Sequence, residues 1–280
     1  MISAVVPVFN SEKTLKRAVD SLLLQPEIDE IFLVEDGSVD QSLRLCHQLA
    51  QKHPCIQVLQ HPDGLNKGAP ESRNLGLQAS KNEWIQFMDA DDQLLPGKIS
   101  SQVAMITGEE DLLVGQFKYI DRDGSSTLFT PIKDVWSGLI ATRLGYTSSN
   151  LWRKSAMIRA GEWDPNLINI QEYNLIFSML KTGARIKFSD QALTKIYYQP
   201  DSIGNSPQNE TEKRDHYFIF REKIRAYLVE NNMFTLRRRH YFNSITGLML
   251  RYHRPDFKVN LDNTYFRIYS AIRDLRKKSF

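Results

Sequence analysis

The sequence predicts an α/β fold built on a doubly wound parallel sheet. Over the first hundred residues, short apolar runs alternate with segments of helical apolar spacing, which is the pattern of βαβ units. Polar and acidic residues follow these apolar runs, at the strand ends where such sheets bind ligands. After residue 100 the alternation loosens, and residues 209–280 predict a helical extension.

Each strand is predicted from a nearly continuous apolar run, which is typical of burial on both faces. The predicted strands are Ile2–Phe9, Ile31–Val34, Ile56–Gln60, Glu83–Met88 and Leu112–Tyr119. Each helix is predicted from apolar residues at helical spacing. The predicted helices are Thr14–Leu24, one beginning at Asp40, Gly68–Ser80, Lys154–Ala160, Glu172–Leu180, Lys213–Asn231 and Phe234–Tyr252. The polar, turn-rich segment Asp201–Glu212 predicts a loop.

Charge is distributed unevenly along this chain of 280 residues. Residues 1–208 carry 20 basic and 25 acidic side chains, whereas residues 209–280 carry 16 basic and 8 acidic ones. An acidic body makes nucleic acid a poor partner. The basic C-terminal region, with Arg237–Arg239 and Arg276–Lys278 among apolar residues, has the composition of helices that bind a membrane surface. The alternative is a set of helices packed on the rest of the chain or on a second subunit, as in a homodimer.

Two cysteines are too few for a disulfide framework, and no His/Cys spacing suggests zinc. The apolar N-terminus lacks the features of a signal peptide, and no stretch approaches the 18 or more apolar residues that span a bilayer. We therefore expect a cytoplasmic protein, either free or peripheral at the inner face of the membrane.

Two acidic clusters at predicted strand ends suggest ligand chemistry. Asp89-Ala90-Asp91 places two carboxylates on one side of an extended chain, which suits Mg²⁺ or Mn²⁺ bound to a diphosphate; the alternative is an Asp-rich turn. Asp36-Gly37-Ser38 suits contact with a nucleobase or ribose, or a capped helix start. No G-x-G-x-x-G follows the first strand and no P-loop is present, which argues against dinucleotide oxidoreductases and P-loop enzymes.

Four segments in order carry a family resemblance. They are Val6-Pro-Val-Phe-Asn10, Val34-Glu-Asp-Gly-Ser-Val-Asp40, Gly68-Ala-Pro-Glu-Ser-Arg-Asn-Leu-Gly76 and Phe87-Met-Asp-Ala-Asp-Asp92. The set resembles the family 2 glycosyltransferases, inverting enzymes of the GT-A fold, strongly over residues 1–100 and weakly over 145–205. The resemblance implies one GT-A domain over 1–208 with a mixed, doubly wound sheet. Its Rossmann-like nucleotide-binding half would be 1–100, its acceptor-binding half 101–208, and its helical extension 209–280.

The resemblance implies roles for individual residues. Asp36 matches the aspartate that reads the base, and Asp91, with Asp89, would bind Mn²⁺ or Mg²⁺ at the diphosphate. The other residues placed at the nucleotide are Pro7, Val8, Phe9, Asn10, Gly68, Arg73, Asp89 and Ala90. Trp152, Trp163 and Tyr173 fall in the family's acceptor segment, although large aromatics are more often core.

The catalytic base implied by the resemblance is Glu172. The family usually has Glu-Asp here, whereas this chain has Gln171-Glu172. A carboxylate is retained, so general-base chemistry remains available, but the extra methylene moves it by about 1.5 Å. The alternative is an exposed carboxylate in the first turn of a helix.

The expected function is transfer of a sugar from a UDP-sugar or similar donor to a saccharide or lipid-linked acceptor, in cell-surface polysaccharide or glycolipid synthesis. We expect a metal-dependent, hexosyltransferase-type enzyme. The Gln-x-x-Arg-Trp segment of processive members is absent, which predicts a non-processive enzyme. Two alternatives stay open: a nucleotide-sugar-binding protein without transferase activity, and a sugar nucleotidyltransferase.

Overall fold

The computed structural model describes residues 1–200 and 210–278, with side chains as far as Leu275. The chain separates into two units. Unit 1 comprises residues 1–131, 144–167 and 171–200. Unit 2 comprises residues 132–143 and 168–170 together with the described residues from 210 onwards.

The first hundred residues form the predicted alternation of strands and helices. In order these are β1 (Ile2–Val8), α1 (Leu15–Leu23), β2 (Ile28–Glu35), α2 (Ser42–Lys52), β3 (Ile56–Gln60), α3 (Ala69–Ala79) and β4 (Trp84–Phe87). Each element is confirmed, with ends within three residues of the predicted ones. The four strands are parallel and pair in the order β4-β1-β2-β3.

Helix α3 lies close to the sheet because of one glycine. A Cβ built on Gly76 would be 2.3 Å from Cγ1 of Val5, in the middle of β1. Val5 is fully buried, as are Ala4 and Val6 beside it. This half therefore has a strand core that is apolar on both faces, as its unbroken apolar runs predict.

The remaining elements complete two sheets. In order these are β5 (Gln93–Leu94), α4 (Lys98–Val103), β6 (Leu112–Val114), β7 (Phe117–Ile120), β8 (Ser126–Phe129), α5 (Val135–Ile140), a 3-10 turn (Thr147–Ser149), β9 (Leu151–Arg153), α6 (Lys154–Ala160), α7 (Gln171–Lys181), β10 (Ile186–Phe188) and β11 (Thr194–Tyr197). The seven-stranded sheet has the order β10-β6-β9-β4-β1-β2-β3, and β9 runs antiparallel to both neighbours. The second sheet has the order β5-β11-β7-β8.

The single strand predicted for Leu112–Tyr119 is wrong. The chain leaves the first sheet after Val114 and enters the second at Phe117. Gly115 permits this exit, because a Cβ there would be 2.3 Å from the carbonyl oxygen of Ser149. Its N–H donates to Oδ1 of Asn150 at 3.2 Å. A buried polar contact that is distant in sequence thus divides one apolar run between two sheets.

Unit 2 is helical. It contains α5 together with α8 (Glu210–Glu230), α9 (Leu236–Tyr252) and α10 (Asn263–Lys278). The buried guanidinium of Arg221 donates to the carbonyl oxygen of Ile140 at 2.8 Å, and Trp136 stacks on Tyr227. These contacts explain why residues 132–143, which the sequence assigns to the first domain, lie in unit 2.

The loop predicted over 201–212 is tested only in part. Residues 201–209 lie outside the described residues, whereas Glu210–Glu212 form the first turn of α8, so the loop prediction is wrong for these three.

Among the helices that the structure describes, none is both long and apolar enough to cross a membrane.

Candidate active site

The loops after β1 and β2 are tied together at the carboxyl end of the sheet. Asn10 takes a positive φ of 47°, and its N–H donates to Oγ of Ser38 at 3.1 Å. Its side-chain oxygen accepts the N–H of Val39 at 2.9 Å. Phe9 beside it is 47% exposed. Two residues predicted at the nucleotide, Phe9 and Asn10, are therefore accessible at the strand end.

Two other predicted nucleotide residues belong to the strand itself. Val8 is fully buried in the core. Pro7 is half-buried and lies opposite Val34 in the register of β1 with β2. The side chain of Val8 therefore packs in the core beneath this strand end, and its assignment to the nucleotide stays a prediction.

Asp36 organises the loop that precedes α3. Its carboxylate oxygens accept the N–H groups of Lys67 at 2.7 Å and Gly68 at 2.9 Å. Gly68 has a φ of +87°, which favours glycine. The side chain of Asp36 is nearly buried, with Nε2 of His61 at 3.4 Å. These contacts hold the loop that precedes α3 in place.

Arg73 connects three elements. From α3, its Nη2 donates to Oδ1 of Asp89 at 2.7 Å and its Nη1 to Oε1 of Gln171 at 3.0 Å. The guanidinium lies 4.7 Å from the ring centre of Trp163. Arg73 is 5% exposed, whereas the Asp89 side chain is 36% exposed. A buried cation thus joins the end of β4 to the first residue of α7.

The acidic segment after β4 brings several carboxylates of like charge close together. Burial and the charge of Asp89 raise the pKa of Asp91 to about 6. Burial, reinforced by the charges of Asp91 and Asp89, raises the pKa of Asp92 well above its usual range. Ala90 between them is buried. A bound cation or proton would relieve repulsion of this kind.

Two of these carboxylates fit a divalent cation. Mg²⁺ and Mn²⁺ prefer oxygen ligands and often keep positions for water and substrate phosphates. A cation between Asp89 and Asp91 would offset the repulsion that raises the pKa of Asp91. Within the described part of the chain, no group of three or more His, Cys, Asp and Glu could hold a metal ion. The donor set therefore suits a cation shared with a phosphorylated ligand.

Glu172 lies in the first turn of α7, directly after the residue that Arg73 holds. It is half-buried. Removal from water raises the pKa of its carboxyl to about 6, and the charge of Asp89 adds to this, while Arg73 opposes it. A carboxylate with this pKa is ionised at neutral pH and still accepts a proton readily.

The three aromatic residues predicted at the acceptor are buried. Trp152 is 0% and Trp163 1% exposed, and both pack against Phe87. Tyr173 is 4% exposed, and its hydroxyl donates to the carbonyl oxygen of Gly145 at 3.0 Å. None presents a ring face to an acceptor, which corrects that expectation and assigns all three to the core.

Two residues with functional contacts were missed by the sequence analysis. Ser148 accepts the N–H of Asp89 at 3.1 Å and donates to Asp92. Arg17 donates to the carbonyl oxygen of Asp91 and lies 3.8 Å from the ring centre of Tyr197. Ser148 belongs to a short polar run and Arg17 to an amphipathic helix, so neither carries a local signal.

Comparison with known proteins gives consistent findings. The sequence profile described as "Glycosyl transferase family 2" matches residues 3–161. Chondroitin synthase of Pasteurella multocida is 23% identical over 243 residues, which cover 82% of this chain and 24% of that protein. The chain spans about half the length of the first curated relatives that it matches.

Solved structures resemble the fold. Staphylococcus aureus TarS residues 1–349 with UDP-GlcNAc has a TM-score of 0.68 at 18% identity, over 91% of this chain and 74% of that one. Mannosyltransferase PcManGT of Pyrobaculum calidifontis, with GDP-Man and Mn²⁺, has a TM-score of 0.62 at 10% identity, over 98% of this chain and 80% of that one. The predicted fold class, a mixed doubly wound sheet of GT-A type with a helical C-terminal region, is confirmed.

Proposed function

The protein belongs to glycosyl transferase family 2, and we propose that it transfers a hexosyl group from a nucleotide diphosphate sugar to an acceptor hydroxyl. The observation that carries this proposal is the bridge made by Arg73. It joins Asp89, at a strand end suited to a diphosphate, to the helix start that bears Glu172. The buried Arg73 guanidinium thereby connects the proposed donor site, at Asp89, to the helix start that bears the proposed proton acceptor, Glu172.

A UDP-sugar is the proposed donor. The exposed Phe9 and Asn10 border the carboxyl end of the parallel sheet, where such sheets bind nucleotides. Asp36, the residue that the family resemblance assigns to the base, lies at the same end, after β2. TarS was solved with UDP-GlcNAc and PcManGT with GDP-Man. These structures support a sugar nucleotide as donor, and the choice of uridine rests on the family resemblance.

We propose Mn²⁺ or Mg²⁺ as the cofactor, held by Asp89 and Asp91. When bound, the metal supplies positive charge that stabilises the departing diphosphate. The protein's own contribution is to hold this segment: Ser148 fixes the backbone of Asp89, and Arg17 fixes the carbonyl of Asp91. Arg73 orients the Asp89 carboxylate through their 2.7 Å ion pair.

The proposed reaction is a single displacement. An acceptor hydroxyl oxygen forms a bond to the anomeric carbon, while the bond from that carbon to the diphosphate oxygen breaks and its electron pair leaves with the nucleotide. The hydroxyl proton passes to the Glu172 carboxylate. Attack from the face opposite the leaving group inverts the anomeric configuration. Absence of the processive segment supports one addition per encounter.

The acceptor is proposed to be a saccharide or lipid-linked saccharide of a cell-surface polysaccharide or glycolipid. The likeness to a chondroitin synthase supports polysaccharide synthesis.

Both cysteines are free, which supports the proposed cytoplasmic location.

Helix α10 supports a proposed contact with the inner face of a membrane. Ile268, Ile272 and Leu275 form a stripe along one face and are 59%, 49% and 66% exposed. The other face packs on α9, where Phe266 contacts Gly247. The apolar stripe is flanked by the exposed Arg267, so an anionic lipid surface fits both its apolarity and its charge.

Vesicle sedimentation tests this contact. The full chain should bind vesicles of phosphatidylcholine with phosphatidylglycerol and lose binding when Ile268 and Ile272 are both replaced by Glu. Ile219 and Val229 on α8, 46% and 49% exposed, give a matched double Glu control that should keep binding. A dimer in solution that only the α10 variant dissociates would instead identify a second copy as the occupant.

The proposed function is tested with a panel of nucleotide sugars, Mn²⁺ and candidate saccharides. We expect release of nucleoside diphosphate and a glycosylated product of inverted configuration. Glu172→Gln should lose transfer but retain donor binding, whereas Glu230→Gln, at an exposed glutamate of α8, should match the wild type. Donor binding without turnover would identify a nucleotide-sugar-binding protein, and pyrophosphate release a sugar nucleotidyltransferase.

A further inference from the structure

Four aromatic rings cluster on one face of the hairpin of β7 and β8. This aromatic platform consists of Phe117, Tyr119, Phe129 and Tyr146. Phe117 and Phe129 stack with ring centres 4.9 Å apart and an angle of 5° between planes. Tyr146 meets Phe117 edge-on at 5.2 Å, and Tyr119 meets Phe129 at 6.2 Å. The rings therefore form one contiguous apolar cluster.

The platform differs from the buried aromatic cluster of the same unit. Phe129 is 39% and Tyr146 44% exposed, whereas Phe117 beneath them is 4% exposed. In the core cluster, by contrast, Trp152 and Trp163 are at most 1% exposed. Phe117 thus lies buried beneath the platform, and the two rings that contact it, those of Phe129 and Tyr146, are exposed to solvent.

Two hydrogen bonds place the platform beside the candidate active site. Gly145, directly before Tyr146, accepts from the hydroxyl of Tyr173, the residue after Glu172. Ser148, two residues after Tyr146, accepts the N–H of Asp89. Two residues span at most about 7 Å of chain. Tyr146 therefore lies on a short segment pinned at one end to the proposed base helix and at the other to the proposed metal carboxylates.

We infer that the aromatic platform binds a hexose ring of the acceptor and presents its hydroxyl to Glu172. This inference rests on the proposed function and names the acceptor subsite. The C–H face of a pyranose is apolar and matches a flat aromatic ring such as the exposed Phe129 or Tyr146. Two flat rings beside the proposed base helix suit a rigid saccharide ring better than a flexible lipid chain, so a saccharide is the proposed occupant.

Steady-state kinetics with the full chain test the inference. Tyr146→Ala and Phe129→Ala should each raise the acceptor KM roughly 3- to 10-fold, the range expected for loss of one aromatic contact. Donor KM and acceptor-independent hydrolysis of the donor should stay unchanged. Tyr146→Phe and Phe129→Trp should restore the acceptor KM. Leu128→Ala is the matched control, because Leu128 is 55% exposed on the opposite face of the same hairpin.

Saturation-transfer NMR with methyl hexosides at millimolar concentration gives a readout independent of turnover. We expect transfer to sugar C–H protons in the wild type and its loss in Tyr146→Ala. An unchanged acceptor KM in both alanine variants, or no saturation transfer to any methyl hexoside, would overturn the inference. A wild type that releases no nucleoside diphosphate but still shows saturation transfer lost in Tyr146→Ala would refute the proposed function and leave the saccharide site standing.

Discussion

Arg73 and Asp89 form a 2.7 Å ion pair in which the cation is almost fully buried and the carboxylate is partly exposed. The asymmetry matters because the exposed carboxylate edge stays available to ligands, while the buried guanidinium fixes its orientation. The same guanidinium donates to Gln171. One side chain thereby sets the position of the Asp89 carboxylate relative to the helix that carries the proposed base.

Arg73→Lys should lower kcat/KM for transfer by about 100-fold or more. A lysine keeps the charge but lacks the planar fork that reaches two acceptors at once, so either Asp89 or Gln171 loses its partner. Steady-state kinetics measure the loss. Arg185→Lys is the matched control, because Arg185 is 63% exposed in its ion pair with Glu109 and such pairs contribute little. Equal activity of the two variants would remove Arg73 from its bridging role.

The raised pKa of Glu172 predicts a pH-dependent rate. If Glu172 accepts the proton, only its ionised form is active. At saturating metal, kcat/KM should therefore rise about tenfold per pH unit at acidic pH and level off above pH 6, where the carboxyl has its pKa of about 6. A pH profile with both substrates measures this. An acidic limb with the same midpoint in the residual activity of Glu172→Gln would belong to another group.

The same pKa shift predicts that Glu172→Gln stabilises the fold at neutral pH. The folded pKa, about 6, lies above the ordinary value, so the folded state binds more protons and stability falls as pH rises between about 4.5 and 6. Above this window the ionised carboxylate costs about 1–2 kcal/mol. Denaturant unfolding at pH 7.5 should show the gain and at pH 4 should not. A Glu172→Gln variant with the same free energy of unfolding as the wild type at both pH values would contradict the pKa shift.

The acidic segment after β4 predicts metal-linked stability. Mn²⁺ should raise the melting temperature of the wild type through mass action and should not raise that of Asp91→Asn. Without metal, Asp91→Asn should be more stable than the wild type at pH 7.5, because it removes a buried charge beside Asp89. Thermal unfolding with and without MnCl₂ measures both effects. Asp20→Asn, at an exposed ion pair, is the control, and a metal response surviving in Asp91→Asn would exclude that carboxylate as a ligand.

The first hundred residues were predictable because their signals are local. Unbroken apolar runs gave β1 to β4, and the strand-end acidic residues placed Asp36 and Asp89 at one edge of the sheet. The second half depends on contacts distant in sequence. Gly115 divides an apolar run because Ser149 crowds it, and no periodicity records that contact.

The aromatic residues show the same limit at the site. Trp152 and Phe129 are both large aromatics in the second half of unit 1, yet one is fully buried and the other 39% exposed. Composition does not separate them, because burial depends on which strand each occupies and what covers it. The family resemblance predicts an acceptor segment from sequence position alone, whereas ring accessibility is a property of the packed fold.

The close approach of α3 to β1 yields a prediction about the support of the whole site. Gly76→Ala should destabilise the protein by about 1–3 kcal/mol, because the new methyl group would lie 2.3 Å from Cγ1 of the buried Val5 and overpacking of a closed core has costs in this range. Since α3 also carries Arg73, displacement of the helix should reduce transfer activity as well. Gln78→Ala, at an exposed position of the same helix, is the matched control and should be neutral or slightly stabilising. Denaturant unfolding and kcat/KM measured on the same preparations test both effects, and the double variant Val5→Ala/Gly76→Ala should recover part of the lost activity by making room for the methyl group. If Gly76→Ala retains wild-type stability and activity, α3 can shift without disturbing Arg73, and the position of that guanidinium must be set by Asp89 and Gln171 rather than by the packing of the helix.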